Sequence, residues 1–211
     1  MELLNKYLII IYFISFVTSV LLGIFRYKYF SLNLKILLVV LIIALAFDLT
    51  GNLFYSINID TNYLYLSFDF IVSNIYLIFY LKNIFPKCSK FYYLYSLLSN
   101  GILFLLCYKF NHFISDFDFK YSLITTLVFL ILGLKLFWIQ LNIKSNINKQ
   151  TLQLNSLFLY FILMGFINKF LTYFSYMENK YFYNFSESLI YIYNIFGFAY
   201  AIKLFISKNE N

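Results

Sequence analysis

The sequence predicts an all-α fold: a polytopic membrane protein, a bundle of seven transmembrane helices with its N-terminus out and its C-terminus in. Composition, apolar run length and loop charge carry that reading. Of 211 residues, 63% are hydrophobic and 12% charged, against about 25% charged in a soluble domain. Too few polar side chains remain to coat a globule in water, so the bilayer is the solvent. Proline occurs once, at Pro86, and glycine six times, so long unbroken helices are expected.

Seven apolar runs can be marked, at residues 7–25, 36–57, 63–85, 91–110, 119–141, 152–177 and 185–206. Each has the roughly 20 residues a helix needs to cross about 30 Å of hydrocarbon. The first reads as a retained span and not as a signal peptide. It is long for an apolar signal core, has no A-x-A site, and carries Arg26 and Lys28 behind it. The second is unbroken from Ile36 to Phe47 and then meets Asp48, with Asn52 and Ser56 each a helical turn further on. A central Asp costs about 2.5–3.5 kcal/mol on insertion scales, and the large apolar residues ahead of it offset roughly that amount. The span inserts, but Asp48 must find a partner or stay protonated. No loop is long enough to hold a further domain, so residues 1–211 read as one domain.

The net charge of +7 has a topological explanation. Eleven of the sixteen Lys and Arg lie on the side that holds the first, third and fifth connections and the C-terminal tail, in those segments or at the span ends beside them. The positive-inside rule places those segments in the cytoplasm. Outside them no regular Lys/Arg stripe exists, which argues against nucleic acid as a partner. The partners expected are the lipid bilayer and a membrane or cytoplasmic protein met through basic inner loops such as 144–149. Many of the 28 Phe and 22 Tyr fall near span ends, as an interfacial belt does.

Residues at i, i+4 and i+7 share a helix face, and several spans carry polar stripes at that spacing. They are Asp48–Asn52–Ser56, Asp69–Ser73–Tyr76–Tyr80, Tyr92–Ser96–Asn100–Cys107, Asn168–Thr172–Ser175 beside Lys169, and Glu187–Tyr191–Asn194. The first and fifth spans offer Tyr12–Ser15–Ser19 and Ser122–Thr126–Gly133, which suit helix–helix packing. Depth separates the charged residues. At 1.5 Å per residue from the outer span ends, Glu187 lies about 3 Å deep, Asn52 about 8 Å, Asp69 about 9 Å, Lys169 about 12 Å and Asp48 about 14 Å. Asp48, Asn52, Asp69, Asn168, Lys169, Glu187 and Asn194 therefore define one outward-opening polar cluster. Lys169 is expected to pair with Asp48 or Asp69, with Asp48 favoured. The cluster either binds something or holds the bundle in register. Glu187 also suits the first turn of its helix after Ser186, facing the positive dipole end, as do Asp116 and Asp118 ahead of the fifth span.

Several chemistries are disfavoured. His112 is the only histidine and sits in a loop, so no metal site or Ser-His-Asp triad is expected. Cys88 and Cys107 would lie roughly 28 Å apart across one span, too far for a disulfide, and belong to no CxxC motif. Lys203 is too near the end of the last span for a retinal Schiff base. Asp48 and Asp69, in the contexts FDLTGN and SFDFIV, lack the GxGD signature of intramembrane aspartyl enzymes. No cofactor is expected.

Asp48 with Gly51, Asn62 with Tyr65, and Tyr191 with Asn194 form acid–x–x–Gly, Asn–x–x–Tyr and Tyr–x–x–Asn patterns. In these patterns and in layout the chain resembles uncharacterised small seven-span integral membrane proteins of Bacteroidota-type bacteria. The resemblance implies a bacterial cytoplasmic (inner) membrane location and, through association with sensor kinases, signalling. It supplies no catalytic residues. The function expected is a non-enzymatic membrane sensor or accessory signalling component. A small transporter or channel for an ion or solute is the alternative, and a lipid-modifying enzyme the third.

Overall fold

The computed structural model describes residues 2–57, 59, 61–87, 90–109, 114–142, 149–175 and 180–207. Every apolar run is a helix: α1 (Glu2–Arg26), α2 (Leu32–Ser56), α3 (Asn62–Ile84), α4 (Lys90–Lys109), α5 (Ile114–Asn142), α6 (Lys149–Ser175) and α7 (Lys180–Ile206). All seven are long and apolar enough to cross a membrane. The chain is an integral membrane protein of seven spans. His112, Cys88 and the basic segment 143–148 lie outside the described residues.

Local chemistry sets the helix ends. A 3-10 turn at Tyr27–Tyr29 closes α1, and Ser31 then caps α2 by accepting from the Leu34 backbone N–H at 3.4 Å, one of the orphan donors of a helix start. The same hydroxyl donates to Gln150 Oε1 at 2.8 Å, tying α2 to the start of α6. Helix α3 stops at Ile84 because Pro86 disfavours helical backbone at Phe85, which adopts φ −127° and ψ 66°. Helix α7 begins at Lys180, so Glu187 lies two turns inside it. This corrects the reading of Glu187 as a first-turn acid. Asp116 and Asp118 do fall in the first turns of α5.

Helix order in space is not the order in sequence. Helices α1, α2, α3, α5, α6 and α7 close into a ring, each packed on the next, with α7 returning to α1. Helix α4 stands outside this ring, against α3 and α5. One half of the bundle holds the starts of α1, α3, α5 and α7, and is called here the N-terminal side. The other half, the C-terminal side, is packed solid. There α2 reaches across to α6, and Leu34, Leu37 and Leu41 are buried with Phe79, Leu136, Leu154, Phe158 and Phe205. Phe79 meets Phe158 edge-on at 4.6 Å, and Phe30 stacks on Phe205 at 4.9 Å. Such a core has the tight side-chain packing of a protein interior.

Polar ties finish that side. Arg26 donates to the carbonyls of Phe205 and Ile206 at 2.8 and 2.7 Å, placing a cation on the negative end of α7. Asn33 donates to Asn83 Oδ1 and Thr151 Oγ1, joining α2, α3 and α6. Lys35 and Lys135 lie over the rings of Tyr27 and Phe85 at 4.7 Å, their stems along apolar surface. On the outer surface Ile10, Ile14, Leu21, Leu49, Leu98, Ile102, Leu127 and Leu134 are exposed, as lipid-facing residues are.

Candidate functional site

The ring encloses a cavity of about 490 Å³ in the middle and N-terminal side of the bundle, within the range of small-molecule sites. All six ring helices line it and α4 does not. Most of the wall is apolar and aromatic, including Phe16, Phe47, Phe68, Phe129, Phe161 and Phe198. The polar groups that enter it are Tyr12, Asp48, Tyr65, Asp69, Ser73, Tyr76, Ser122, Thr125, Thr126, Asn168, Lys169, Tyr193 and Asn194. Tyr65, Ile167 and Tyr193 line it and are also exposed, so the cavity reaches the surface of the bundle.

Two carboxylates are presented from neighbouring helices. Asp69 on α3 forms an ion pair with Lys169 on α6. These helices are not ring neighbours, so the pair bridges the cavity. Both side chains keep some accessible surface, 24% for Asp69 and 19% for Lys169. Asp48 on α2 is instead held by Tyr12 on α1, whose hydroxyl donates to Oδ2 at 2.6 Å. The expected preference of Lys169 for Asp48 is corrected here: Asp69 takes the lysine and a phenol takes Asp48. Tyr12 is itself fixed by aromatic neighbours, with ring centroids 5.5 Å from Tyr191 and 5.6 Å from Phe198. The Tyr65 hydroxyl packs on Gly51, where a Cβ would come within 2.6 Å of it. Gly51 lies one turn beyond Asp48, so its missing side chain admits the Tyr65 ring beside the carboxylate.

Of the seven residues singled out in the sequence, Asp48, Asp69, Asn168, Lys169 and Asn194 meet at this cavity. Asn52 does not; it is exposed, and its amide donates back to the Asp48 carbonyl at 2.8 Å. Glu187 also stands apart. It accepts from Asn5 Nδ2 at 3.1 Å and Tyr191 Oη at 3.3 Å, while Ser188 donates to Asn5 Oδ1. That group fastens α7 to α1. Thr172 and Ser175 have side chains outside the described residues.

A second polar network lies between α3, α4 and α5. Asn100 Nδ2 donates to Ser73 Oγ at 2.9 Å and Asn74 Oδ1 at 3.0 Å, and Tyr121 Oη donates to Asn100 Oδ1 at 3.1 Å. It anchors the peripheral α4, as interhelical amides and hydroxyls do in membranes. Among the described residues no group of three or more His, Cys, Asp and Glu has metal-binding spacing.

The residues missed in the sequence are Tyr12, Tyr65 and Asn5. Tyr12 belongs to a polar stripe whose spacing suits helix–helix packing and gives no sign of Asp48. With α1 starting at Glu2, Tyr12 lies about 15 Å along it and Asp48 about 12 Å from the end of α2, so the two meet at one level. No protein-family model matches the chain, and no curated protein or solved structure is significantly similar to it.

Proposed function

We propose that this protein is a non-enzymatic ligand-binding component of a bacterial inner membrane, a sensor or accessory signalling protein that reads a small molecule through the intrabundle cavity. One observation carries the reading. The cavity occupies the middle and one side of the ring, while the opposite side is closed by the Leu34–Leu41 and Leu154–Phe158 core. A ligand can be held there but meets no path onward past that core. The asymmetry of Lys and Arg supports the cavity side as the outer one. The two carboxylates are held by different partners, Tyr12 and Lys169, an arrangement that does not favour a shared-proton dyad.

The test fills the cavity. Ala44 lines it from α2, and Ala44→Phe places a ring in the space. Native mass spectrometry of protein extracted from its own membranes should show a retained small molecule in the unaltered chain and none in Ala44→Phe. The same retained mass in both proteins would sink the reading. Proteoliposomes then separate sensing from transport: a sensor retains the molecule, whereas accumulation in the vesicle lumen makes the chain a transporter.

A further inference from the structure

We infer that the cavity takes an organic cation: a protonated amine or quaternary ammonium carrying an apolar body. The inference rests on the reading of the cavity as a ligand site and adds the chemical class of the ligand. Two carboxylates and one lysine line the space. Lys169 is committed to Asp69, and among the described residues no cation lies within ion-pair distance of Asp48. Tyr12 supplies Asp48 with a hydrogen bond but no charge. The site therefore carries one carboxylate more than its cations balance.

What surrounds Asp48 fits the same class. Tyr12 reaches the carboxylate, and Tyr65 lies against Gly51 one turn away. Phe47 and Phe68 form a tilted pair at 5.4 Å in the same wall. Ring faces attract cations through their quadrupole, most strongly where water is scarce, and aromatic walls with a carboxylate are how ammonium groups are recognised. A metal ion would need several oxygen ligands at once. Here the two carboxylates have separate partners, Tyr12 and Lys169, and the other polar groups of the wall are neutral hydroxyls and amides. An ammonium headgroup would sit at Asp48 with its chain lying deeper along Phe16, Val40 and Leu41.

Three matched probes test this: 4-phenylbutylamine, 4-phenylbutan-1-ol and 4-phenylbutanoate, titrated calorimetrically into the full chain in phosphatidylcholine nanodiscs, with empty discs subtracted. The amine should bind at least tenfold tighter than the alcohol, and the carboxylate should give no saturable heat. Asp48→Asn should weaken the amine tenfold or more and leave the alcohol unchanged. Should Asp48→Asn fail to insert, Tyr65→Leu serves, with an expected loss of threefold or more for the amine alone. Equal affinities for amine and alcohol, both abolished by Ala44→Phe, would overturn the cationic class and leave the cavity as a binding site. Amine binding indifferent to Ala44→Phe would overturn both.

Discussion

Lys169 and Asp69 meet across a space and not along a helix seam, so their contribution differs from that of a surface ion pair. Each side chain is mostly shielded, and removing one partner strands the other in a poorly solvated wall. Breaking fully buried pairs costs about 3–5 kcal/mol, and the partial exposure here lowers that to about 2–3 kcal/mol. Lys169→Met and Asp69→Asn should each destabilise the chain by that amount in chemical unfolding from micelles, and Lys169→Glu by more. The double variant Lys169→Met/Asp69→Asn should recover part of the loss, with a coupling of about 1–2 kcal/mol. Strictly additive single costs would show that the pair contributes no coupling. The charged half of this site was legible in the sequence because a charge within a span is expensive and so stands out. Its partner choice was not. Depth along a helix ranks residues by level but says nothing of azimuth, and Asp48 and Asp69 lie too close in level for it to choose between them. Tyr12 was hidden for another reason: among 22 tyrosines no single phenol stands out, and only the fold shows which one meets a carboxylate.

At the scale of elements the spans were legible and the seams between them were not. Apolar runs mark hydrocarbon, so all seven helices follow from them, but a helix continues into the interface where Lys, Asn and Ser are at ease. That is why α1, α5 and α7 begin several residues before their apolar runs. Polar stripes mislead in a related way. Asn52 and Ser96 satisfy themselves on carbonyls four residues back, a local bond that needs no neighbouring helix. Of the fourth span's stripe, Ser96 is half-buried and bonded to its own helix while Asn100 joins the α3–α5 network. Spacing alone gives both the same weight. The α6–α7 seam makes the sharper case. At Gly197 a Cβ would come within 2.5 Å of Phe161 Cε1 and 3.2 Å of Tyr160 Cε1. Tyr160 also donates to the Tyr193 carbonyl at 2.6 Å, locking the two helices at that distance. Gly197→Val must therefore push α6 from α7 or drive Phe161 into the cavity. The expected cost is about 1–3 kcal/mol in stability. Gly165→Ala, where an added Cβ meets nothing within 4 Å, should leave the midpoint unchanged and is the control. A Gly197→Val midpoint matching that control would show that the approach is not constrained.

For the whole molecule, ring closure and charge asymmetry bear on one question: which side of the membrane the cavity samples. Arg26, Lys35, Lys82, Lys135, Lys149 and Lys203 all belong to the side closed by the apolar core, whereas Asp48, Asp69 and Lys169 belong to the cavity. Insertion places Lys- and Arg-rich connections in the cytoplasm. The closed side should then face the cytoplasm and the cavity the outside. The folded structure alone is silent on this, because a bundle packs identically in either orientation. The sequence carries the information, since loop charges act during insertion and not in the packed state. Cysteine labelling decides it. In a Cys88→Ser/Cys107→Ser background, Ile59→Cys marks the short α2–α3 connection on the cavity side and Lys87→Cys the α3–α4 connection on the closed side; both positions are exposed. A membrane-impermeant maleimide applied to intact cells should modify position 59 at once and position 87 only after permeabilisation. The reverse pattern would invert the molecule and make the cavity a reader of cytoplasmic solutes. Because Asp48 lies near mid-membrane, either result also fixes the side from which its counter-cation must arrive. Adding the amine probe to one face of sealed vesicles should then protect the single cysteine of a cavity-lining Ser122→Cys variant from modification only when the probe is supplied from the face that labels at position 59.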